Sequence, residues 1–181
     1  MNANSTTSVE IRSLSPAELA ADLVALVTLL KNAVDGGAGL GFVPPLSDSE
    51  GRAYWLSICP ELQAGSRLLL GAYAGGRIVG TGQLMLARWS SSQHRAEVQK
   101  LLVDSAHRGQ GVGKLLIIAL HDAARQLNRS LIVLNTRRGQ PTVRFYKQLG
   151  YREAGVIPGF SRNVTTGERR DTMILYQELA L

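Results

Sequence analysis

Residues 97–126 read EVQKLLVDSAHRGQGVGKLLIIALHDAARQ, and this segment constrains the architecture of the chain more than any other. An extended run over 97–103 leads into a basic, glycine-rich loop, RGQGVGK, at 108–114. Apolar residues then recur at helical spacing and predict an amphipathic helix over 111–127. They are Val112, Leu115, Leu116, Ala119, Ala123 and Leu127. The glycines therefore fall at the start of a helix and in its approach.

The helix start is a predicted binding site for a phosphate-type anion. The first backbone amides of an α-helix have no partner within the helix, and the helix dipole adds positive charge there. The sequence does not match two known anion-binding loops. A Walker loop needs a glycine and a hydroxyl where Arg108 and Leu115 stand. A dinucleotide-binding loop needs an acidic residue on the next strand, which here ends in Asn135.

A third loop pattern does fit: Arg/Gln-x-x-Gly-x-Gly/Ala, which Arg108, Gly111 and Gly113 satisfy. The preceding strand ends in Leu-Leu-Val (101–103), and a later helix carries TVRFYKQLGY (142–151) with Tyr146. In this order the segments resemble the GCN5-related N-acetyltransferase (GNAT) superfamily, whose pyrophosphate loop has this pattern. The alternative is an ordinary glycine-capped crossover that binds no ligand.

The resemblance implies a mixed α/β fold over nearly the whole chain. We expect a disordered segment at 1–7 and a single domain over 8–181, with a central, mostly antiparallel, forked sheet. It should contain about six or seven strands, flanked by about four helices. Capping boxes at Ser15 and Ser47 predict two of the helix starts. Pro158-Gly159 and residues 165–168 are predicted turns between the last strands.

The resemblance also implies acetyl-CoA as the co-substrate and no metal. The loop residues that would bind its diphosphate are Arg108, Gly109, Gln110, Gly111, Val112, Gly113 and Lys114. The strand residues Leu101, Leu102 and Val103 would pair with the pantetheine arm. An amide of Leu102 or Val103 would polarise the thioester carbonyl, as an oxyanion-hole donor does.

Tyr146 is the candidate general acid. It matches the superfamily tyrosine that protonates the leaving sulfur and contacts the cofactor, although its surroundings are equally compatible with a core residue. Two histidines lie in the same region of the sequence. We expect His107 to lie beside the bound anion and His121 to face outward from the loop helix.

Glu97 is the candidate general base. A carboxylate beside a protonated amine can accept its proton directly or through water. Alternate residues of a strand share a face, which places Glu97 with Gln99 and Leu101. The alternative for Glu97 is a salt bridge to Arg95 or Lys100.

Several short segments resemble the tabtoxin-resistance proteins, a group within the superfamily that acetylates the amine of a β-lactam amino-acid toxin. They are VDGGA (34–38), GF (41–42), RAEVQKL (95–101) and PGF (158–160). This resemblance implies acceptor contacts from Phe42, Glu97, Asn135 and Phe160. That group has acidic residues where this chain has Asn135 and Arg137, and the change of charge would favour an acceptor with an added acid group.

Composition excludes several other classes of protein. The 181 residues are 45% hydrophobic, which is enough for one domain with a full core. The net charge of +6 is scattered without an aromatic-rich basic stripe, so nucleic acid is not an expected partner. No segment resembles a signal peptide or a membrane span, which favours the cytoplasm and no membrane partner. Dimers are common in the superfamily, so a homodimer stays open.

The sequence therefore predicts an acetyl-CoA-dependent N-acetyltransferase that acts on a primary amine of a small molecule by direct attack in a ternary complex. An amino-acid-like toxin or antibiotic is the candidate acceptor. Two alternatives remain open. One is a protein or peptide N-acetyltransferase, and the other is a non-catalytic acyl-CoA-binding sensor.

Overall fold

The computed structural model describes residues 8–163 and 166–181. The segment 1–7, for which the sequence predicts disorder, and Thr165 of the predicted turn at 165–168 lie outside the described residues. Within the described ranges, no helix combines the length and apolar character needed to cross a bilayer.

Seven strands form one sheet, which confirms the predicted mixed fold. The strands are β1 (Val9–Ser13), β2 (Arg67–Ala74), β3 (Arg77–Leu86), β4 (Arg95–Val103), β5 (Leu131–Arg137), β6 (Arg152–Arg162) and β7 (Arg169–Glu178). They lie in the order β1-β2-β3-β4-β5-β7-β6. All neighbouring strands are antiparallel except β4 and β5, which are parallel.

Four predicted helices appear as six α-helical segments. They are α1 (Pro16–Ala21), α2 (Leu23–Asp35), α3 (Asp48–Ser57), α4 (Cys59–Gln63), α5 (Val112–Gln126) and α6 (Pro141–Gln148). Both predicted capping boxes form, at Ser15 and Ser47. Asp22 separates α1 from α2, and Ile58 separates α3 from α4 just before Pro60. Proline has no amide to donate, so the helical hydrogen bonds cannot continue through Pro60.

The two faces of the sheet are covered unequally. The first hydrophobic core packs α5 and α6 against strands from both halves of the sheet, including Leu70 of β2, Ile132 of β5 and Leu175 of β7. The second core packs α1 to α4 against β2, β3 and β4, through residues such as Leu69 and Leu102. Among the described residues, this second core contains none from β5, β6 or β7. That face of β5 to β7 therefore lies beyond the helical layer.

The sheet divides between β4 and β5. Their pairing covers only Arg95 to Glu97 against Leu131 to Val133. Beyond these residues the two strands have no paired positions, and we call the gap between them the fork. The fork leaves one edge of β4 and one edge of β5 without a strand partner, as the resemblance predicted.

A β-bulge in β4 corrects the predicted face of Leu101. Thr81 of β3 pairs with Leu102, and Gln83 pairs with Gln99, so β4 has one extra residue here. Lys100 has a φ of 46°, in the left-handed region. The bulge reverses the alternation of side chains. Leu101 therefore packs in the α5 core, whereas Glu97 and Gln99 lie on the opposite face from the core residues Ala96 and Val98.

The predicted turn at Pro158-Gly159 is wrong. β6 runs unbroken from Arg152 to Arg162, and its pairing with β7 shifts between Ile157 and Ser161. Gly159 has a φ of 61°, and its amide donates a hydrogen bond to Asp171 Oδ1 at 3.0 Å. The glycine thus forms a bulge inside a strand, because the side chain of Asp171 accepts the amide that the strand ladder leaves unpaired.

Candidate active site

The glycine loop leads into a helix start that is open on its outer side. Gly109 and Gly111 have φ values of 74° and 85°, which favour glycine over any residue with a Cβ. Gly111 is the N-cap of α5 and makes no side-chain capping bond. A Cβ added at either glycine would meet no protein atom within 4 Å. The leading amides of α5 are therefore left for an external acceptor.

Side-chain hydrogen bonds stabilise the segment 103–110, which leads into α5. Asp104 Oδ1 accepts the amide of Ala106 at 2.8 Å and lies 3.4 Å from His107 Nδ1. Gln110 Nε2 donates to the carbonyl of Ala106 at 2.8 Å. Arg108 Nε donates to the carbonyl of Val103 at 3.1 Å. His107, expected beside a bound anion, thus has Asp104 as its neighbour.

The edge of β4 that faces the fork ends at this loop. The amide of Asp104 donates to the carbonyl of Val79 in β3 at 2.8 Å. Because backbone amides alternate between the two edges of a strand, the amide of Leu102 faces β3 and that of Val103 faces the fork. An open strand edge can pair with an extended chain by adding a strand. Of the two predicted donors, the alternation therefore favours Val103.

Glu97 and Asn135 meet across the root of the fork. Asn135 Nδ2 donates to Glu97 Oε1 at 3.4 Å. In the described part of the chain, Glu97 makes no salt bridge to Arg95 or Lys100 within 4 Å. Within the described residues, this half-buried carboxylate accepts a hydrogen bond from an amide and from no charged group.

The glycine-rich loop 36–45 spans the fork. On the β4 side, Lys100 Nζ donates to the carbonyl of Leu40 at 2.6 Å and lies 5.4 Å from the ring centroid of Phe42. On the β5 side, Arg137 Nη1 donates to the carbonyl of Gly37 at 3.4 Å. A Cβ at Gly39 would lie 3.2 Å from the guanidinium of Arg137. The loop therefore covers the face of the fork on which Glu97 and Asn135 meet.

A buried polar cluster lies beside Glu97, and the sequence analysis missed it. Arg67 is 8% exposed; its Nε donates to Glu61 Oε2 at 2.5 Å. Its Nη1 donates to Gln83 Oε1 at 2.5 Å and to Gln99 Oε1 at 3.1 Å. Gln83 Nε2 donates to the hydroxyl of Tyr54 at 2.9 Å. A signal was present in the sequence, because the polar side chain of Gln83 stands in a strand that is mostly apolar from Ile78 to Leu86.

The positive charge of this cluster affects Lys100. Burial lowers the pKa of the Lys100 ammonium, and the nearby charge of Arg67 lowers this pKa further, whereas Glu97 opposes both effects. The neutral form of Lys100 is thus favoured more than that of an exposed lysine.

Tyr146 is buried in α6. It is 7% exposed, and its ring packs edge-on against Phe145 at 5.1 Å and Tyr151 at 5.5 Å. Burial raises the pKa of its phenol above the ordinary value. Among residues 8–163 and 166–181 its hydroxyl has no hydrogen-bond partner. The phenol is therefore protonated at neutral pH and can donate to another group. α6 also packs on the start of α5, since a Cβ at Gly113 would lie 3.4 Å from the ring of Phe145.

The predicted exposure of His121 is wrong. His121 is 7% exposed, and its Nε2 lies 2.8 Å from the hydroxyl of Tyr151. Burial lowers the pKa of this imidazole to about 4, and the charge of Arg125 contributes. The helical pattern of α5 could not show that Tyr151, thirty positions later, covers this position.

The predicted acceptor residues are only partly brought together. Glu97 and Asn135 are in contact, and Phe42 packs edge-on against Tyr54 at 5.4 Å beneath Lys100. Phe160 is 56% exposed on β6. No hydrogen bond or ring contact within the described ranges joins Phe160 to the other three. In the same ranges no three His, Cys, Asp or Glu side chains are grouped as metal ligands would be.

A forked sheet whose open strand edge leads into a glycine-rich helix start is the architecture of the N-acetyltransferase fold. The chain belongs to the acetyltransferase (GNAT) family, whose model matches residues 39–151. The resemblance read from the loop is thereby confirmed at the level of the superfamily.

Three proteins illustrate what the chain is similar to. A glucosamine 6-phosphate N-acetyltransferase from Trypanosoma brucei brucei is 33% identical over 79 residues, which are 42% of this chain and 52% of that protein. The chain thus matches about half the length of this curated relative. A ribosomal-protein-alanine N-acetyltransferase from Brucella melitensis has a TM-score of 0.77 at 24% identity, covering 94% of this chain and 99% of that one. An acetyltransferase-fold structure from Salmonella typhimurium, described with its cofactor acetyl-CoA, has a TM-score of 0.74 at 20% identity, covering 96% and 95%.

Proposed function

We propose that this protein is an acetyl-CoA-dependent N-acetyltransferase that acts on a primary amine of a small molecule. The observation that carries the proposal is the open β4 edge, which ends at the uncapped start of α5. This arrangement offers an extended thioester arm a strand edge and offers a diphosphate the free amides of a helix start.

Two sets of residues would bind acetyl-CoA. The amides and basic side chains of 108–114 would take the diphosphate, because Gly109 and Gly111 leave the surface above them open. Leu101, Leu102 and Val103 would flank the pantetheine arm along the edge of β4. The amide of Val103 is the donor that we assign to the thioester carbonyl, where negative charge develops during attack.

The proposed reaction is a direct transfer. The amine nitrogen forms a bond to the acetyl carbon, the bond from that carbon to sulfur breaks, and the electron pair stays on sulfur. Glu97 accepts a proton from the amine, and Tyr146 donates a proton to the sulfur. Burial raises the pKa of the Tyr146 phenol, and it would also raise the pKa of a thiol placed beside the phenol. The two pKa values would therefore shift in the same direction.

A small acceptor is favoured by loop 36–45, which crosses the fork between Lys100 and Arg137. The trypanosomal relative is named for a small amine, and the tabtoxin-resistance resemblance adds an amino-acid-like toxin or antibiotic to the candidates. A peptide acceptor is the second candidate, because the Brucella relative is named for a ribosomal protein. We further propose a cytoplasmic enzyme, with a homodimer as one form it can take.

The test combines calorimetry with a turnover assay. Acetyl-CoA should bind, and free thiol should appear with small amines rather than with peptides. Glu97→Gln should lower kcat by about 10²- to 10⁴-fold and flatten its pH profile while sparing acetyl-CoA affinity, and Tyr146→Phe should lower kcat similarly. Glu178→Gln, a surface carboxylate paired with Arg152, is the control.

Three outcomes would overturn parts of the proposal. Tight acetyl-CoA binding without turnover of any amine would indicate the acyl-CoA sensor. Turnover with peptides alone would replace the small acceptor by a peptide. An unchanged pH profile in Glu97→Gln would remove Glu97 from the role of base.

A further inference from the structure

A basic groove of about 620 Å³ lies at the end of β5, next to the fork. It is lined by residues that follow β5 and by residues at the start of β7: Arg137, Arg138, Gly139, Gln140, Glu168, Arg169, Arg170 and Asp171. Four arginines and two carboxylates thus line this groove. The groove keeps an excess of positive charge.

The two carboxylates are already engaged. Asp171 Oδ2 lies 3.4 Å from Arg138 Nη1, and Asp171 Oδ1 accepts the amide of Gly159. Glu168 Oε2 lies 3.2 Å from Arg170 Nη2. In the described part of the chain, Arg137 and Arg169 have no carboxylate oxygen within 4 Å. Among the described residues, the hydrogen-bond partner of the Arg137 side chain is the carbonyl of Gly37, a neutral acceptor.

Sheet register places Arg137 and Arg170 on one face. Arg137 pairs with Thr172 of β7, and Arg170 lies two positions from Thr172, so its side chain points the same way. Asn135 shares this face with Arg137 by the same alternation, and Asn135 contacts Glu97. Burial lowers the pKa of the Arg137 guanidinium, the charge of Arg170 lowers it further, and Glu168 opposes both effects. Two guanidinium groups thus repel each other on the face where the acceptor would lie.

We propose that Arg137 and Arg170 bind an oxyanion group carried by the acceptor amine, either a carboxylate or a phosphate-type group. This inference rests on the proposed function, because it places the amine at Glu97. Planar guanidinium groups suit such anions, since they offer paired donors. An anion would also offset the repulsion between the two arginines.

The distance along β5 restricts where the acceptor carries its anion. Glu97 pairs with Val133, and Arg137 lies four positions further along the strand. At about 3.3 Å per residue this corresponds to about 13 Å between backbone positions, which long side chains shorten. An amine whose anionic group is separated from the nitrogen by several carbons would span this distance. The acceptor class that we propose is therefore a small amine with a distal anionic group.

Three unbranched amines test this inference by calorimetry on protein saturated with coenzyme A: 5-aminopentyl phosphate, 6-aminohexanoate and pentylamine. Saturation keeps the amine phosphate away from the 108–114 amides, and binding is measured without turnover. At least one anionic amine should bind more than about tenfold more tightly than pentylamine. The stronger of the two identifies the anion as phosphate or carboxylate.

The variants Arg137→Gln and Arg170→Gln should each remove most of this preference while leaving coenzyme A affinity unchanged. Arg152→Gln is the matched control, because Arg152 is an exposed arginine that pairs with Glu178 on the far part of β6. Equal binding of all three amines, or equal behaviour of all three variants, would overturn the inference. A protein that gives no heat with coenzyme A fails the proposed function instead.

Discussion

Lys100 determines which side chains of β4 reach the fork. Its φ of 46° is unusual for a residue with a Cβ and costs about 1–2 kcal/mol. Its ammonium donates to the carbonyl of Leu40 and lies over the rings of Phe42 and Tyr54, which helps to hold the bulge. Nothing in a lone lysine within a strand pattern predicts a bulge. The sequence therefore predicted the strand, but it could not predict the face of the sheet on which Leu101 lies.

His121 gives a prediction for the dependence of stability on pH. Its folded pKa of about 4 lies below the ordinary value of 6.5, so the unfolded chain binds a proton that the folded chain refuses between these values. The free energy of unfolding should therefore fall as pH falls through this window, by about 2 kcal/mol between about pH 7 and pH 5. Urea unfolding of the wild type and of His121→Gln at both pH values measures it.

Glutamine at position 121 keeps a partner for the hydroxyl of Tyr151 but does not titrate in this range. The variant should therefore show a shallower fall in stability than the wild type. Equal slopes for the two proteins would show that His121 is charged, or accessible to water, in the folded state. Asp122 and Arg125 flank the imidazole and are the same in both proteins, so they cancel in the comparison.

Among the elements, α5 was the easiest to predict. The sequence indicated a helix over 111–127, and α5 runs from Val112 to Gln126, because its apolar periodicity and its glycine start agree. The strand–helix order also follows from local patterns. The continuation of β6 through Pro158-Gly159 does not, since a proline–glycine pair is ordinarily a turn and only the distant Asp171 makes it a bulge. Likewise, the arginine groove joins 137–140 to 168–171, which only the pairing of β5 with β7 brings together.

The start of α5 gives a prediction with a close control. Gly111→Ala places a Cβ at a φ of 85° and should destabilise the fold by about 1–2 kcal/mol. The new methyl group would also project from the surface that we assign to the diphosphate, so coenzyme A affinity should fall by more than about tenfold. Gly76→Ala, in the turn between β2 and β3, meets equally open space at a φ of 77°.

Chemical unfolding and calorimetry of the two variants separate backbone strain from ligand contact. Both should lose similar stability, and only Gly111→Ala should lose affinity. A similar loss of coenzyme A affinity in Gly76→Ala would mean that strain, and not the position of the methyl group, weakens binding.

At the scale of the whole molecule, unequal coverage of the sheet creates the site. The α5 core extends beneath both sides of the fork. The sheet can therefore divide without exposing apolar core residues on that face. On the other face, within the part of the chain that the structure describes, α1 to α4 pack on β2, β3 and β4, and loop 36–45 reaches across to Arg137. A cleft remains where the second helical layer ends. The carboxylate of Glu97 and the arginine groove both lie on that face.

This architecture predicts that the two halves of the sheet unfold together, although only three residue pairs join β4 to β5. Ile132 is fully buried in the shared α5 core, so Ile132→Ala should lower the free energy of unfolding by about 2–5 kcal/mol.

Two probes test this coupling. The fluorescence of the buried Trp55, which lies in the other core, reports on the half that contains β2 to β4. Far-ultraviolet circular dichroism reports on the whole chain. The two urea transitions of Ile132→Ala should shift by the same amount, as they should in the control Leu69→Ala, a fully buried residue of the second core. A fluorescence transition that stays at the wild-type midpoint while the dichroism transition shifts would show that the α5 core does not couple the halves.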